Sequence, residues 1–180
     1  PGEQASLQDI ARRSIAHGLK VSEPLAIDPG ELARGLAEPR GNFVTLTINR
    51  ALRGCVGTLI GTAPLGQEFA VPAFSAASRD SRFAPLSESE FEHTQIDISV
   101  LSPPELLPAG SLDELLAQVR PHVHGLIVED HGQRGTLLPK VWEKITDTDE
   151  FVKHLMLKAG LPHRHWSDTI RFYSYTAFEF

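Results

Sequence analysis

Apolar residues recur along this chain at two periods, and the changes of period mark out its elements. Leu7, Ile10, Ala11, Ile15 and Leu19 fall three or four apart, which predicts an amphipathic helix starting at the cap-like run Ser6-Leu7-Gln8-Asp9. Residues 21–41 carry Pro24, Pro29, Gly30, Gly35, Pro39 and Gly41 and read as loop with one short helix. Phe43 to Ile48 alternates and is rich in β-formers, Asn49-Arg50-Ala51 turns, and Leu52 to Leu59 returns, which together predict a β-hairpin. Residues 65–79 read as a helix with Leu65, Phe69, Ala73, Ala76 and Ala77 on its buried stripe, kinked or divided at Pro72. Ser87-Glu88-Ser89-Glu90 has the capping-box pattern. Thr94 to Ser102 alternates cleanly, Ile96, Ile98 and Val100 against Gln95, Asp97 and Ser99, as a half-buried strand does.

Pro103-Pro104 ends that strand, and Ser111-Leu112-Asp113-Glu114 opens a helix to Val119. Gly125 to Val128 predicts a buried strand, after which the region from Gly132 to Gly135 turns the chain back. Helices are expected over Pro139–Ile145 and Asp149–Ala159, the second stopped by Gly160 and Pro162. Ile170 to Phe180 reads as one closing strand. There is no repeat, heptad array or regular βαβ rhythm. The pattern therefore predicts an α+β fold, a mostly antiparallel sheet packed with helices.

Composition narrows the classes. With 180 residues, 41% hydrophobic and 22% charged, the chain suits one sizeable globular domain or two small lobes. A net charge of -6 and 7% aromatic content oppose nucleic-acid binding, although Arg53, Arg79 and Arg82 can form a local basic patch. A single cysteine makes no internal disulfide, so a reducing cytoplasm is the expected location. The apolar runs are too short to span a bilayer, and the first residues show no signal-peptide pattern.

Three constellations carry candidate chemistry. Cys55 lies in Leu52-Arg53-Gly54-Cys55-Val56-Gly57-Thr58, where glycines permit close backbone approach and a neighbouring arginine favours thiolate. Strand alternation would put Arg53 and Cys55 on one face, and His124, Glu129 and Asp130 are the nominated base and orienting groups. The bland reading, a small packed hydrophobe, is the commoner fate of a free cysteine. Second, Arg79 and Arg82 in Ser78-Arg79-Asp80-Ser81-Arg82-Phe83 are spaced to clamp a carboxylate or phosphate, or else to form a solvated, salt-bridged helix end. Third, His122/His124 and His163/His165 are i, i+2 pairs without a third ligand at a recognised spacing, so no metal site is assigned. P-loop, G-x-G-x-x-G, G-x-S-x-G and H-E-x-x-H motifs are absent.

The Leu52 to Thr58 segment resembles the L-R-G-C-I-G hallmark of the AMMECR-type domain family. Ser75 to Pro85 is similar to that family's D-S/P-R-F-x-P helix end, Ile98 to Glu105 to its next strand, and His124-Gly125-Leu126 to its H-G-[LI] strand entry. Gly135 to Trp142 resembles its L-L-P-x-V-W segment, and Lys158-Ala159-Gly160-Leu161 also fits. The departures are Val56 for Ile, Pro72 within a helix, and histidines at 163 and 165. The resemblance covers nearly all of residues 1–180 and implies one AMMECR-type domain of two unequal lobes with a cleft, including a possible sub-lobe around residues 60–95. It is similar to protein A of the AmmeMemoRadiSam system, which implies Memo-like and radical S-adenosylmethionine partner proteins.

The expected function is a cleft-binding module for a small anionic ligand or peptide. Arg53, Gly54, Gly57, Arg79, Asp80 and Arg82 would bind the ligand, and the cofactor is unknown. The alternative is an enzyme with Cys55 as nucleophile or redox thiol, His124 as proton carrier, and Arg53, Arg79 and Arg82 as anion binders.

Overall fold

A computed structural model describes residues 2–28 and 36–180. Part of the loop and short helix expected over 21–41 lies outside the described residues. Two units emerge, one running to Leu101 and including Phe178–Phe180, the other spanning Ser102–Ala177. Each has its own four-stranded antiparallel sheet, where the sequence pattern predicted one sheet.

In the first unit, helix α1 (Gly2–Val21) buries Leu7, Ile10, Ala11 and Ile15 as their spacing requires. It starts before the expected cap: Ser6 lies inside the helix, its Oγ donating back to the Gly2 carbonyl at 2.9 Å. Ser14, fully buried, donates to the Ala70 carbonyl at 2.7 Å and accepts from the Leu25 N–H at 3.2 Å, so this polar side chain costs little inside the core.

Strands β1 (Asn42–Ile48) and β2 (Ala51–Thr58) form the predicted hairpin. Its two turn residues, Asn49 and Arg50, both have positive φ (50° and 66°), the geometry that matches the right-handed twist of the strands. Leu46 pairs with Gly54 but Thr47 pairs with Leu52, so Arg53 is an extra residue in a β-bulge.

The helix expected over 65–79 is divided into α2 (Leu65–Glu68) and α3 (Ala70–Ser78). The break falls at Phe69, which leaves Pro72 in the first turn of α3, where a missing N–H breaks no helical bond. Helix α4 (Glu88–Phe91) carries both halves of its capping box: Ser87 Oγ accepts from Glu90 N–H, and the Glu90 carboxylate accepts from Ser87 N–H. Strand β3 (Gln95–Leu101) follows its alternation, Ile96 and Ile98 buried, Gln95 and Asp97 exposed. Residues 60–95 lie within this unit, where α3 packs on β1 and β2.

The second unit opens with β4 (Glu105–Leu107), a three-residue strand too short to show a period. Helix α5 (Leu112–Gln118) follows, capped by Ser111 as expected. Strands β5 (Gly125–Asp130) and β6 (Gln133–Leu137) meet at a tight turn, His131 and Gly132, with φ of 47° and 79°. The turn is thus earlier than predicted, and Gln133 already belongs to a strand. A 3₁₀ turn over Pro139–Glu143 and helix α6 (Thr148–Lys158) close the core around fully buried Trp142. Its indole lies 3.8 Å from the parallel Phe151 ring and donates to the His124 carbonyl at 2.7 Å.

The expected closing strand is two strands in different sheets. Strand β7 (Arg171–Tyr175) pairs between β4 and β5, whereas β8 (Ala177–Glu179) belongs to the sheet ordered β2-β1-β3-β8. Phe180 exchanges both backbone hydrogen bonds with Ile98.

Candidate functional site

Strand β2 is an edge strand, and the segment that follows α3 covers its outward-facing backbone. The Cys55 N–H donates to Asp80 Oδ2 at 2.9 Å, and the Cys55 carbonyl accepts from Arg82 Nη2 at 3.5 Å. Arg82 in turn grips Asp80 with two nitrogens, Nε to Oδ1 at 2.9 Å and Nη2 to Oδ2 at 2.7 Å. The Arg82 hydrogen bond and the Cys55 N–H hold the Asp80 carboxyl far below the usual carboxylate range, against its burial. This Asp–Arg pair does for the edge what a neighbouring strand would do.

Arg53, displaced by the bulge, donates to both oxygens of Glu90 (2.9 and 3.1 Å) and to the carbonyls of Ala84 and Pro85. Arg53, followed by Ser87, keeps the Glu90 carboxyl at about 2. Arg53 is the extra residue of the bulge, and its guanidinium is committed to these partners. Phe83 lies under both Arg53 and Arg82, at 5.8 and 5.5 Å.

The glycines answer to packing. A Cβ at Gly54 would stand 2.0 Å from the Ala76 carbonyl oxygen of α3, and one at Gly57 would stand 2.6 Å from the Phe43 side chain. Cys55 is half-buried and its Sγ accepts from Thr45 Oγ1 at 3.4 Å across the hairpin. Its hydrogen-bond partners are thus Thr45, Asp80 and Arg82, with no imidazole in the set.

Arg79 has a different setting. It caps the C-terminus of α3, so it does not share a helical face with Arg82, and the clamp expected from their spacing does not form. Its guanidinium lies 4.9 Å over the Phe74 ring, and both line a pocket of about 310 Å³ with Leu19, Ser22 and Leu86. Among the described residues no carboxylate pairs with it. Gly18 allows this arrangement: a Cβ there would strike the Phe74 ring at 2.2 Å.

His124 belongs to the second unit and is buried at the entry to β5. Burial, then the charge of Arg120, pushes its pKa down. Arg120 offers a backbone N–H to Nδ1 (3.2 Å) and its Nε to Nε2 (3.1 Å), of which a neutral imidazole accepts one. The i, i+2 histidine pairs are not paired in space as a strand would pair them. His122 sits in a turn at φ 63°, and His163 faces Asp149 while His165 faces Asp130. Asp130, His131 and His165 do come together. No sequence spacing announced that group, because a hairpin tip and a loop 34 residues later supply its parts.

Two antiparallel sheets, each backed by helices, define an α+β protein, and the clamped L-R-G-C-V-G edge strand is its most distinctive local feature. The sequence model of the AMMECR1 family matches residues 8–180, and the chain belongs to that family. Protein MK0488 of Methanopyrus kandleri is 36% identical over 179 residues, 92% of this chain and 84% of that one. A Thermotoga maritima protein is 38% identical over 159 residues, 87% and 84% of the two chains. The crystal structure of Uncharacterized Protein PH0010 from Pyrococcus horikoshii superposes with a TM-score of 0.85 at 33% identity, covering 96% of this chain and 88% of that one. None of these names carries an activity. Among the described residues no helix is long and apolar enough to cross a membrane.

Proposed function

We propose that the protein is a binding module for a small anionic ligand with an apolar body, received in the Phe74–Arg79 pocket of the first unit. One observation carries this reading: the exposed Arg79 guanidinium lies 4.9 Å over the Phe74 ring at the wall of a pocket shared with Leu19 and Leu86, with no carboxylate partner among the described residues. A pocket of about 310 Å³ is at the lower end of the range for small-molecule sites, which favours a small acid over a folded peptide. A guanidinium is a planar fork of donors that matches a carboxylate or phosphate, and its ring contact with Phe74 orients it toward the pocket. Arg53, Asp80 and Arg82 support the site from outside by holding the segment that follows α3 against β2. In this reading Memo-like and radical S-adenosylmethionine proteins, implied by the family resemblance, are the partners to which the ligand is presented.

The test is amide NMR with hexanoate and its methyl ester as probes. Hexanoate should shift residues 18–22 and 74–86, the ester should bind more weakly, and Arg79→Ala should erase the difference. Equal binding of acid and ester, or unchanged binding by Arg79→Ala, would overturn the reading. The thiol-enzyme alternative has its own readout in the alkylation rate against pH. A Cys55 that reacts with a midpoint well below the ordinary thiol value of about 8.5 moves the assignment toward catalysis.

A further inference from the structure

The geometry points to a zinc-class divalent transition-metal site in the second unit, built from Asp130, His131 and His165. Their donor atoms all lie within 4.8 Å of one another. His165 Nε2 is 2.5 Å from Asp130 Oδ2, and His131 Nε2 is 3.7 Å from the same oxygen. Bond lengths of about 2.0–2.2 Å around a tetrahedral zinc put neighbouring donor atoms roughly 3.3 Å apart, between those two distances. An ion at the centre of the group would require the two rings to turn, His165 away from Asp130 Oδ2 and His131 toward it. Two imidazoles and a carboxylate suit zinc and its neighbours, and three protein ligands leave one position for water.

The carboxylate is already oriented as a ligand would be. Asp130 ends β5 with a side chain closed to solvent, Thr169 Oγ1 donates to Oδ1 at 2.7 Å, and Ser167 Oγ donates to Oδ2 at 2.9 Å. Such outer partners fix a ligating carboxylate and raise its affinity. The imidazoles are open by contrast, His131 being 65% and His165 25% exposed, so an ion has access from solvent. A metal would replace the direct contact between His165 Nε2 and Asp130 Oδ2. The site is separate from the Phe74–Arg79 pocket and from the reading built on it.

Cobalt(II) titration of the full chain, followed by visible absorption, tests the assignment. One equivalent should bind with the spectrum of tetrahedral Co(II) and be displaced by Zn(II). His131→Ala and His165→Ala should each weaken binding by more than about tenfold, the scale seen when even outer-shell support is lost. Exposed His154 serves as the control, and His154→Ala should bind as the parent does. His131 projects exposed from a hairpin tip, so its replacement leaves the buried core untouched. Absence of saturable binding, or His131→Ala binding cobalt like the parent, overturns the site.

Discussion

Asp80 accepts the outward N–H of Cys55 and ties down Arg82 with the same carboxylate. Asp80→Ala leaves a half-buried N–H and a guanidinium without their acceptor, and should cost about 1–3 kcal/mol in urea unfolding. Asp80→Asn keeps an oxygen for the N–H while removing the charge, and should fall between the two. Gly54→Ala should cost roughly 1–3 kcal/mol or more, since the added methyl would stand 2.0 Å from the backbone carbonyl oxygen of Ala76. Cys55→Ser, by comparison, should stay within about 1 kcal/mol, because Thr45 Oγ1 can hydrogen-bond a hydroxyl as well as a thiol. At this scale the neighbours of the thiol matter more for the fold than the thiol does. The sequence singled out Cys55 and Arg82 in two separate motifs, and the fold joins them through Asp80. It gave no sign that Arg53 and Arg82 would be occupied by Glu90 and Asp80, because those pairings depend on where two separate turns end.

Among the elements, α4 shows how a single turn of helix can be held. Glu90 closes the capping box with Ser87 and also receives Arg53 from the bulged strand. Ser87→Ala should cost about 0.5–2 kcal/mol, as loss of an N-cap does. Because both interactions share one carboxylate, Ser87→Ala and Arg53→Ala should be non-additive, with a coupling of about 0.5–3 kcal/mol in a double-mutant cycle. Additive effects would show that the cap and the bridge act independently. Elements with local chemistry were legible: the caps at Ser87 and Ser111, the Asn49-Arg50 turn and the alternation of β3 all read directly from the chain. The break at Phe69 and the three-residue β4 were not, since each is settled by what it packs or pairs with rather than by its own residues.

For the whole molecule, acid stability follows from the carboxylates. The folded-state pKa of Asp80 is depressed, and that of Glu90 is lowered to about 2. The unfolded chain therefore binds more protons than the native one in acid. Their stabilising contribution is fully present above the ordinary carboxylate pKa of about 4 and is lost as pH falls toward 2 and below. Urea midpoints should drop over that window, and Glu90→Gln should flatten the drop; an unchanged slope would show that the Glu90 bridge does not couple to folding. The sequence by itself determined the positions of α1, α5 and α6, the first hairpin, the family motif and the α+β class, because those rest on periodicity, caps and turn residues that act over a few positions. Only the tertiary structure decided that the closing strand divides between two sheets, that Arg53 bulges toward Glu90, that Arg79 remains apart over Phe74, and that Asp130, His131 and His165 meet. Each of these depends on contacts between distant segments, and side-chain spacing along the chain carries no record of which segments will become neighbours.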